Sequence, residues 1–193
     1  MGETKFNVEK FLRKTFKEPL DALSAKLYAK GVRANQVTIF GLVGTLFAAY
    51  LVSRGAFFTS GLVLALFAPL DAVDGALARL AGQVTKFGSF LDSFTDRYEE
   101  MLVLAGLAYY YAGRGNEQYV LITCLAMIGS VMVSYARAKA ESLGFEAKIG
   151  ILTRIERTVL MVIALLLRFP ILAVGIIAVL ANFTAWQRLF HVR

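Results

Sequence analysis

Six long apolar runs, near 35–53, 57–80, 87–112, 118–142, 150–168 and 170–190, leave this chain little choice of fold. Each is about long enough to cross a hydrocarbon layer of roughly 30 Å at 1.5 Å per residue. A chain of 193 residues that is 58% hydrophobic has no length left for a sizeable soluble core as well. The expectation is an all-α integral membrane protein with six transmembrane helices. The fifth and sixth runs are separated by little more than Arg168, Phe169 and Pro170, where the proline requires a tight turn.

Before the first run lies a polar segment, and the expected division is 1–33 as a juxtamembrane segment and 34–193 as the membrane domain. Leu12, Phe16, Leu20, Leu23 and Leu27 follow helical spacing, with Lys10, Arg13, Lys14, Lys17, Lys26 and Lys30 around them. Pro19 starts a second helix after a break, so a basic amphipathic pair lying in the membrane interface is expected. The segment is too long and charged to be a signal peptide. With six spans, all of the 21 Lys and Arg except Arg54, Arg114 and Arg168 fall on one side. The positive-inside rule makes that side, with both termini, cytoplasmic. A net charge of +7 beside apolar segments points to anionic lipid and phosphorylated substrates as partners, not nucleic acid. Cys124, alone in an apolar run, reads as a small buried side chain, and His191 as a surface residue.

Residues 71–96 break the apolar pattern with four aspartates. Asp71, Asp74, Gly75 and Ala78 are spaced to form one helical stripe, and Gly88, Asp92 and Asp96 another. A short turn over 81–86 would fold the two stripes together. Carboxylates crowded in an apolar protein repel one another and lose hydration. Hard divalent cations, Mg²⁺ or Mn²⁺, relieve both costs, and two of them balance four ionised aspartates. Gly75, Ala78 and Gly88 leave room for a substrate to approach the backbone, and Arg79 offers a fork suited to phosphate oxygens. The residues alone point to a two-metal site for phosphoryl chemistry at a membrane. An aspartate-lined cation transporter is the alternative of another class. The site's expected place at the cytoplasmic helix ends, away from the midplane, favours an enzyme.

The spacing Asp71-x2-Asp74-Gly75-x2-Ala78-Arg79-x8-Gly88-x3-Asp92-x3-Asp96 resembles the signature of the CDP-alcohol phosphotransferases. The resemblance implies a CDP-linked lipid donor, CDP-diacylglycerol or CDP-archaeol, with CMP as the leaving group. It implies that Asp71, Asp74, Asp92 and Asp96 hold the two ions, with Asp96, last in the stripe, also the candidate base. The donor would lie against Asp71, Asp74, Gly75, Ala78, Arg79 and Gly88, and near Asn35 and Thr38 in a segment similar to one the family places by the cytidine. A homodimer is the family expectation.

A second polar group lies at the same level, in a pocket expected to stand some distance from the metal-held donor. It comprises Arg137, Lys139 and Glu141 ending the fourth run, Arg154, Glu156 and Arg157 beginning the fifth, and Arg188 closing the sixth. Positive-inside enrichment explains basic residues there, but less well their alternation with alanine or their pairing with Glu141 and Glu156. The pattern resembles the phosphatidylinositol-phosphate and archaetidylinositol-phosphate synthases of the family. That resemblance gives Arg137, Lys139, Arg154, Arg157 and Arg188 the phosphate of an acceptor such as inositol phosphate. Glycerophosphate-using relatives show Asp-Pro-x-Ala-Asp-Lys at the third and fourth aspartates. Here the segment is Asp92-Ser-Phe-Thr-Asp96-Arg97, which argues against that branch.

Overall fold

The computed structural model describes residues 17–147 and 149–193, and among them every regular element is helical. In chain order the helices are α1 Lys17–Ala29, α2 Ala34–Ser53, α3 Phe57–Phe67, α4 Leu70–Leu80, α5 Lys86–Ala112, α6 Glu117–Ser142, α7 Arg154–Leu166 and α8 Pro170–Val192. Of the expected amphipathic stripe, Leu12 and Phe16 lie outside the described residues. Leu20 and Leu27 pack on the small cluster of Val37, Val73 and Leu77, which docks α1 on α4. Leu23 instead faces outward, 40% exposed. Pro19 sits inside the first turn of α1, where a missing N–H costs no intrahelical bond.

Each of the six apolar runs is occupied by helix, but not each as one span. Among the described residues, four stretches are long and apolar enough to cross a membrane: Ala34–Ser53, Phe57–Leu80, Glu117–Ser142 and Pro170–Val192. The run over 57–80 is broken between α3 and α4 at Ala68 and Pro69, because a proline has no N–H to donate and its ring crowds the carbonyl a turn earlier. The break gives α4 an N-terminus of its own, with Asp71 in its first turn, where the helix dipole favours a carboxylate. The run over 150–168 is helical only from Arg154, because Thr153 caps α7 in a reciprocal capping box with Glu156. At 13 residues α7 is about 20 Å long, short of a full span. In its first turns α5 carries Asp92, Asp96, Arg97, Glu99 and Glu100, which lowers its hydropathy although its length suffices.

Large apolar side chains line the outside of the bundle, among them Ile39, Phe40, Val43, Leu46 and Phe47 of α2, each more than half exposed. Lipid is the solvent that tolerates such a face. Cys124 also faces outward on α6, contrary to the buried position its apolar neighbours suggest, and His191 is exposed as expected. An apolar surrounding phase gives no hydrophobic drive between helices, so close packing must come from small residues. A Cβ on Gly106 of α5 would stand 2.6 Å from the carbonyl oxygen of Ala49 on α2. Likewise, a Cβ on Gly129 of α6 would stand 2.6 Å from Asn182 Nδ2 of α8. That amide donates to the carbonyls of Leu125 and Ala178, at 2.9 and 2.8 Å.

The turn after Leu166 is built differently from the glycine turns elsewhere. Arg168, at φ 62°, takes the left-handed position, while Phe169 N–H donates to Ala164 O and Arg168 N–H to Leu165 O. This is a Schellman closure with an arginine where glycine is usual. Pro170 then opens α8 at its first position, so the expected tight turn is present.

The α2–α5 contact generates a prediction. Gly106→Val forces the two helices apart and is expected to cost about 1–3 kcal/mol, seen as a lower Tm in detergent. Because α2 and α5 both face the groove described next, CDP binding should fall in parallel. An unchanged Tm would mean that the contact is not close in solution.

Candidate active site

The polar residues of 71–96 come together because one turn folds α4 back toward α5. Gly82, at φ 63°, ends α4: Gly82 N–H donates to Arg79 O and Gln83 N–H to Ala78 O. Thr85 then caps α5, its hydroxyl oxygen accepting from Gly88 N–H at 3.0 Å. Between α1, α2, α4 and α5 opens a groove of about 690 Å³. Asn35, Thr38, Asp71, Asp74, Gly75, Ala78, Arg79 and Gly88, the residues expected to meet the donor, all line it, together with Asp92.

The glycines shape this groove by what they omit. A Cβ on Gly75 would meet only Arg79 NH1 at 3.4 Å, so the groove floor is bare there. A Cβ on Gly88 would press on Thr85 Oγ1 at 3.1 Å and Asn35 Oδ1 at 3.4 Å, disturbing the helix cap and the opposite wall together. Asp74 is buried, 4% exposed, and its Oδ2 accepts from the Thr38 hydroxyl at 2.5 Å. Thr38 therefore orients a carboxylate as well as lining the groove.

Asp96 is set apart from the other three aspartates. It lies beside the groove wall, where Arg154 of α7 reaches it: Arg154 NH1 is 2.5 Å from Asp96 Oδ1 and 2.8 Å from Asp71 Oδ2. Arg154 NH2 donates to Glu99 Oε2 at 3.1 Å. Arg97 approaches the other oxygen of Asp96 at 3.7 Å. Asp71, Asp74, Asp92, Asp96 and Glu99 thus face inward against Arg154 and Arg97, and negative charge remains in excess.

That donor set fits a divalent cation. It consists of hard carboxylate oxygens that repel one another. Asp96 Oδ1 is buried and accepts no hydrogen bond despite its ion pair. Oxygens of Asp71, Asp96 and Glu99 lie within 4.8 Å of one another, close enough to share one ion.

The basic residues are not gathered in one open pocket. Arg154 is against the acid cluster, not at a distance from it as the sequence suggests. Arg157 is 2% exposed, its Nε and NH2 donating to the two oxygens of Glu100 at 2.5 and 2.8 Å and its NH1 to Leu152 O at 3.1 Å. Arg188 is buried too, donating from Nε to Ile149 O at 2.8 Å and from NH1 to Val133 O at 2.5 Å. Ile151 N–H donates to Thr184 Oγ1 at 3.3 Å, so α8 holds the segment 149–153 that leads into α7. Arg137 pairs with Glu141 at 2.9 Å on the surface, and Lys139 is exposed beside it. Glu156 is not an acceptor-side partner of the arginines: it is spent on the cap, its Oε2 accepting from Thr153 N–H at 2.6 Å.

A family model described as CDP-alcohol phosphatidyltransferase matches residues 32–187. The chain belongs to the CDP-alcohol phosphatidyltransferase family. It is a membrane transferase of phospholipid biosynthesis. The transferase is similar to the archaetidylinositol phosphate synthase of Pyrococcus horikoshii, 39% identical over 94% of this chain and 95% of the relative. It is 35% identical to the phosphatidylinositol phosphate synthase of Mycobacteroides abscessus, over 94% and 86% of the two chains. Among solved structures it resembles the Mycobacterium tuberculosis phosphatidylinositol phosphate synthase with CDP-DAG bound, at TM-score 0.83 and 27% identity over 90% and 92% of the two chains. The same enzyme in complex with manganese and citrate matches at TM-score 0.84 and 27% identity, over 90% and 88%.

Glu99 and Glu100 are the site residues that the sequence reading did not find. Glu99 continues the stripe of Gly88, Asp92 and Asp96 by three more residues, within about 20° of Gly88 on a helical wheel, so its place was available from spacing alone. Glu100 follows Asp96 at the same four-residue spacing, but only the structure reveals its partner, Arg157 of α7.

Removing the Thr38 hydroxyl tests the wall of the groove. Thr38→Val keeps the shape and deletes a hydrogen bond to a buried carboxylate of about 1.5–3 kcal/mol. The transferase should lose about 10-fold or more in kcat/KM, and its Tm should fall by about 3–12 °C. Gly88→Leu should instead abolish CDP binding in calorimetry. Normal CDP affinity in that variant would remove Gly88 from the donor site.

Proposed function

We propose that this transferase moves the phosphatidyl or archaetidyl group of a CDP-linked lipid onto a hydroxyl of inositol phosphate, releasing CMP. The observation that carries the reading is the meeting of two chemistries at one point. The groove holds every signature residue except Asp96, which stands beside its wall, and Arg154 reaches both Asp96 and Asp71 at that acid end, where an acceptor phosphate can be held. The relatives named for inositol phosphate products include both an archaetidyl and a phosphatidyl enzyme, which supports the acceptor and leaves both donor lipids as substrates to be tried.

In this reading the CDP moiety lies in the groove against Asn35, Thr38, Gly75, Ala78, Arg79 and Gly88. Asp71, Asp74, Asp92 and Asp96 would hold two divalent cations, Mg²⁺ or Mn²⁺. When bound, such ions would supply positive charge against the negative charge gathering on the leaving CMP. The acceptor hydroxyl oxygen bonds to the lipid phosphorus, the bond from that phosphorus to CMP breaks, and the hydroxyl proton goes to Asp96. Arg154 supports that last role: it touches Asp96, so a phosphate on its guanidinium brings the neighbouring hydroxyls of the acceptor to the same carboxylate. Arg137 and Lys139, exposed at the end of α6, supply further positive charge on the approach. Arg157 and Arg188 remain within the proposed acceptor side, their guanidinium groups held by Glu100 and by backbone carbonyls.

We propose six spans, with α7 and its approach segment as the fifth, and both termini and the groove on the cytoplasmic side. The bias of Lys and Arg supports that orientation, and so does the need for soluble acceptor at the groove. The division into a juxtamembrane segment over 1–33 and a membrane domain over 34–193 belongs to the same proposal.

The test is a substrate panel with purified protein. CMP release and the lipid product are measured with CDP-diacylglycerol or CDP-archaeol and, in turn, inositol phosphate, glycerol 3-phosphate, inositol and serine. Inositol phosphate should be used best, and inositol and serine worse by about 100-fold or more, the discrimination expected where a site built for a charged group finds none. Glycerol 3-phosphate as the best acceptor would overturn the assignment. Chelation should stop turnover, and Asp71→Asn, Asp74→Asn or Asp92→Asn should each abolish it while the protein still inserts. Near-normal turnover of any one at saturating Mg²⁺ would contradict the metal assignment.

A further inference from the structure

Arg154 is held from three sides, and Glu99 is the side that the reaction does not explain. Asp71 and Asp96 belong to the signature and have their own work. Glu99 does not line the groove, is 8% exposed, and lies one turn beyond Asp96 on α5. Its Oε2 accepts from Arg154 NH2 at 3.1 Å, while its Oε1 faces α2 where Gly41 has no side chain: a Cβ there would stand 3.5 Å away. A carboxylate so buried needs a charged partner, and Arg154 is the one it has. The geometry also divides the guanidinium. NH1 goes to Asp71 and Asp96, and NH2 to Glu99.

We propose that Glu99 is a positioning residue for the acceptor: it holds Arg154 NH2 while NH1 stays on Asp71 and Asp96, and so fixes the guanidinium at the end of the groove. Without Glu99, Arg154 has only Asp71 and Asp96 to turn to, and its charge is spent on carboxylates that the reaction uses otherwise. With Glu99, one edge of the fork is anchored behind the wall and the other stays at the junction of donor and acceptor. The proposal rests on Arg154 being the acceptor's phosphate ligand. The alternative use of Glu99, as a direct ligand of a metal ion shared with Asp71 and Asp96, makes a different prediction.

The experiment uses the full chain in nanodiscs, comparing Glu99→Gln, Glu99→Asp, Arg154→Gln and the double variant Glu99→Gln/Arg154→Gln. KM is measured for inositol phosphate and for CDP-lipid separately, and Mn²⁺ binding is measured by electron paramagnetic resonance without substrate. Glutamine keeps the shape of glutamate, so Glu99→Gln should fold. It should raise the acceptor KM about tenfold, the weight of one charge-assisted hydrogen bond. The CDP-lipid KM and the Mn²⁺ Kd should stay within about twofold to threefold, the level at which single-site readouts count as unmoved. Glu99→Asp should recover part of the loss. The double variant should have the acceptor KM of Arg154→Gln alone, because residues acting through one group are not additive. An acceptor KM raised in Arg154→Gln but not in Glu99→Gln overturns this inference and leaves the proposed function standing. An unchanged acceptor KM in Arg154→Gln overturns both. A tenfold weaker Mn²⁺ Kd in Glu99→Gln with normal acceptor KM makes Glu99 a metal ligand and also overturns the proposal.

Discussion

Everything near the groove answers to one constraint: like charges must be kept together inside an apolar bundle. Carboxylates separated by a few ångströms with little water lose far more hydration than neighbours can easily return. The fold meets this by distributing small compensations. Asp71 sits in the first turn of a helix, Asp74 has the Thr38 hydroxyl, and Asp96 has Arg154. None of these removes the excess of negative charge. That excess is what makes the place suited to a cation, and what the surrounding helices must be stiff enough to contain.

The stiffness comes from two close helix pairs. Gly106 against Ala49 ties α5 to α2, the helices that carry Gly88, Asp92, Asn35 and Thr38. Gly129 against Asn182 ties α6 to α8, which with α7 carry the basic residues. The ion pairs of Arg154 and Arg157 bridge α7 to α4 and α5, adding polar contacts to the apolar core that runs through α2, α3, α5, α6, α7 and α8. Arg157 is the better anchor of the two: fully buried, bidentate to Glu100, and one turn beyond Arg154.

Much of this was legible in the sequence for a simple reason. Spacing on one helix determines which side chains share a face, and the two acidic stripes each lie on one helix. The break at Pro69 and the late start of α7 were also written there, as a proline inside an apolar run and as Thr153-Arg-Ile-Glu156, a capping pattern. Hydropathy alone reads across both. Glu156 shows the cost: counted as a partner for arginines, it turns out to serve a helix end. What spacing could not supply was the rotation of α7 about its own axis. Only packing decides that Arg154 faces Asp96 and Arg157 faces Glu100, and that Arg188 bonds to backbone instead of opening toward a pocket.

The hold of α8 on the segment 149–153 bears on how the protein is made. The helices that form the groove, α1, α2, α4 and α5, all precede α7 in the chain. Arg154 follows, but the segment that leads into it is pinned by Thr184 and Arg188, near the end of the last helix. The groove helices can therefore take shape before α8 is in place, while the segment leading into Arg154 is fixed only once Thr184 and Arg188 have docked on it.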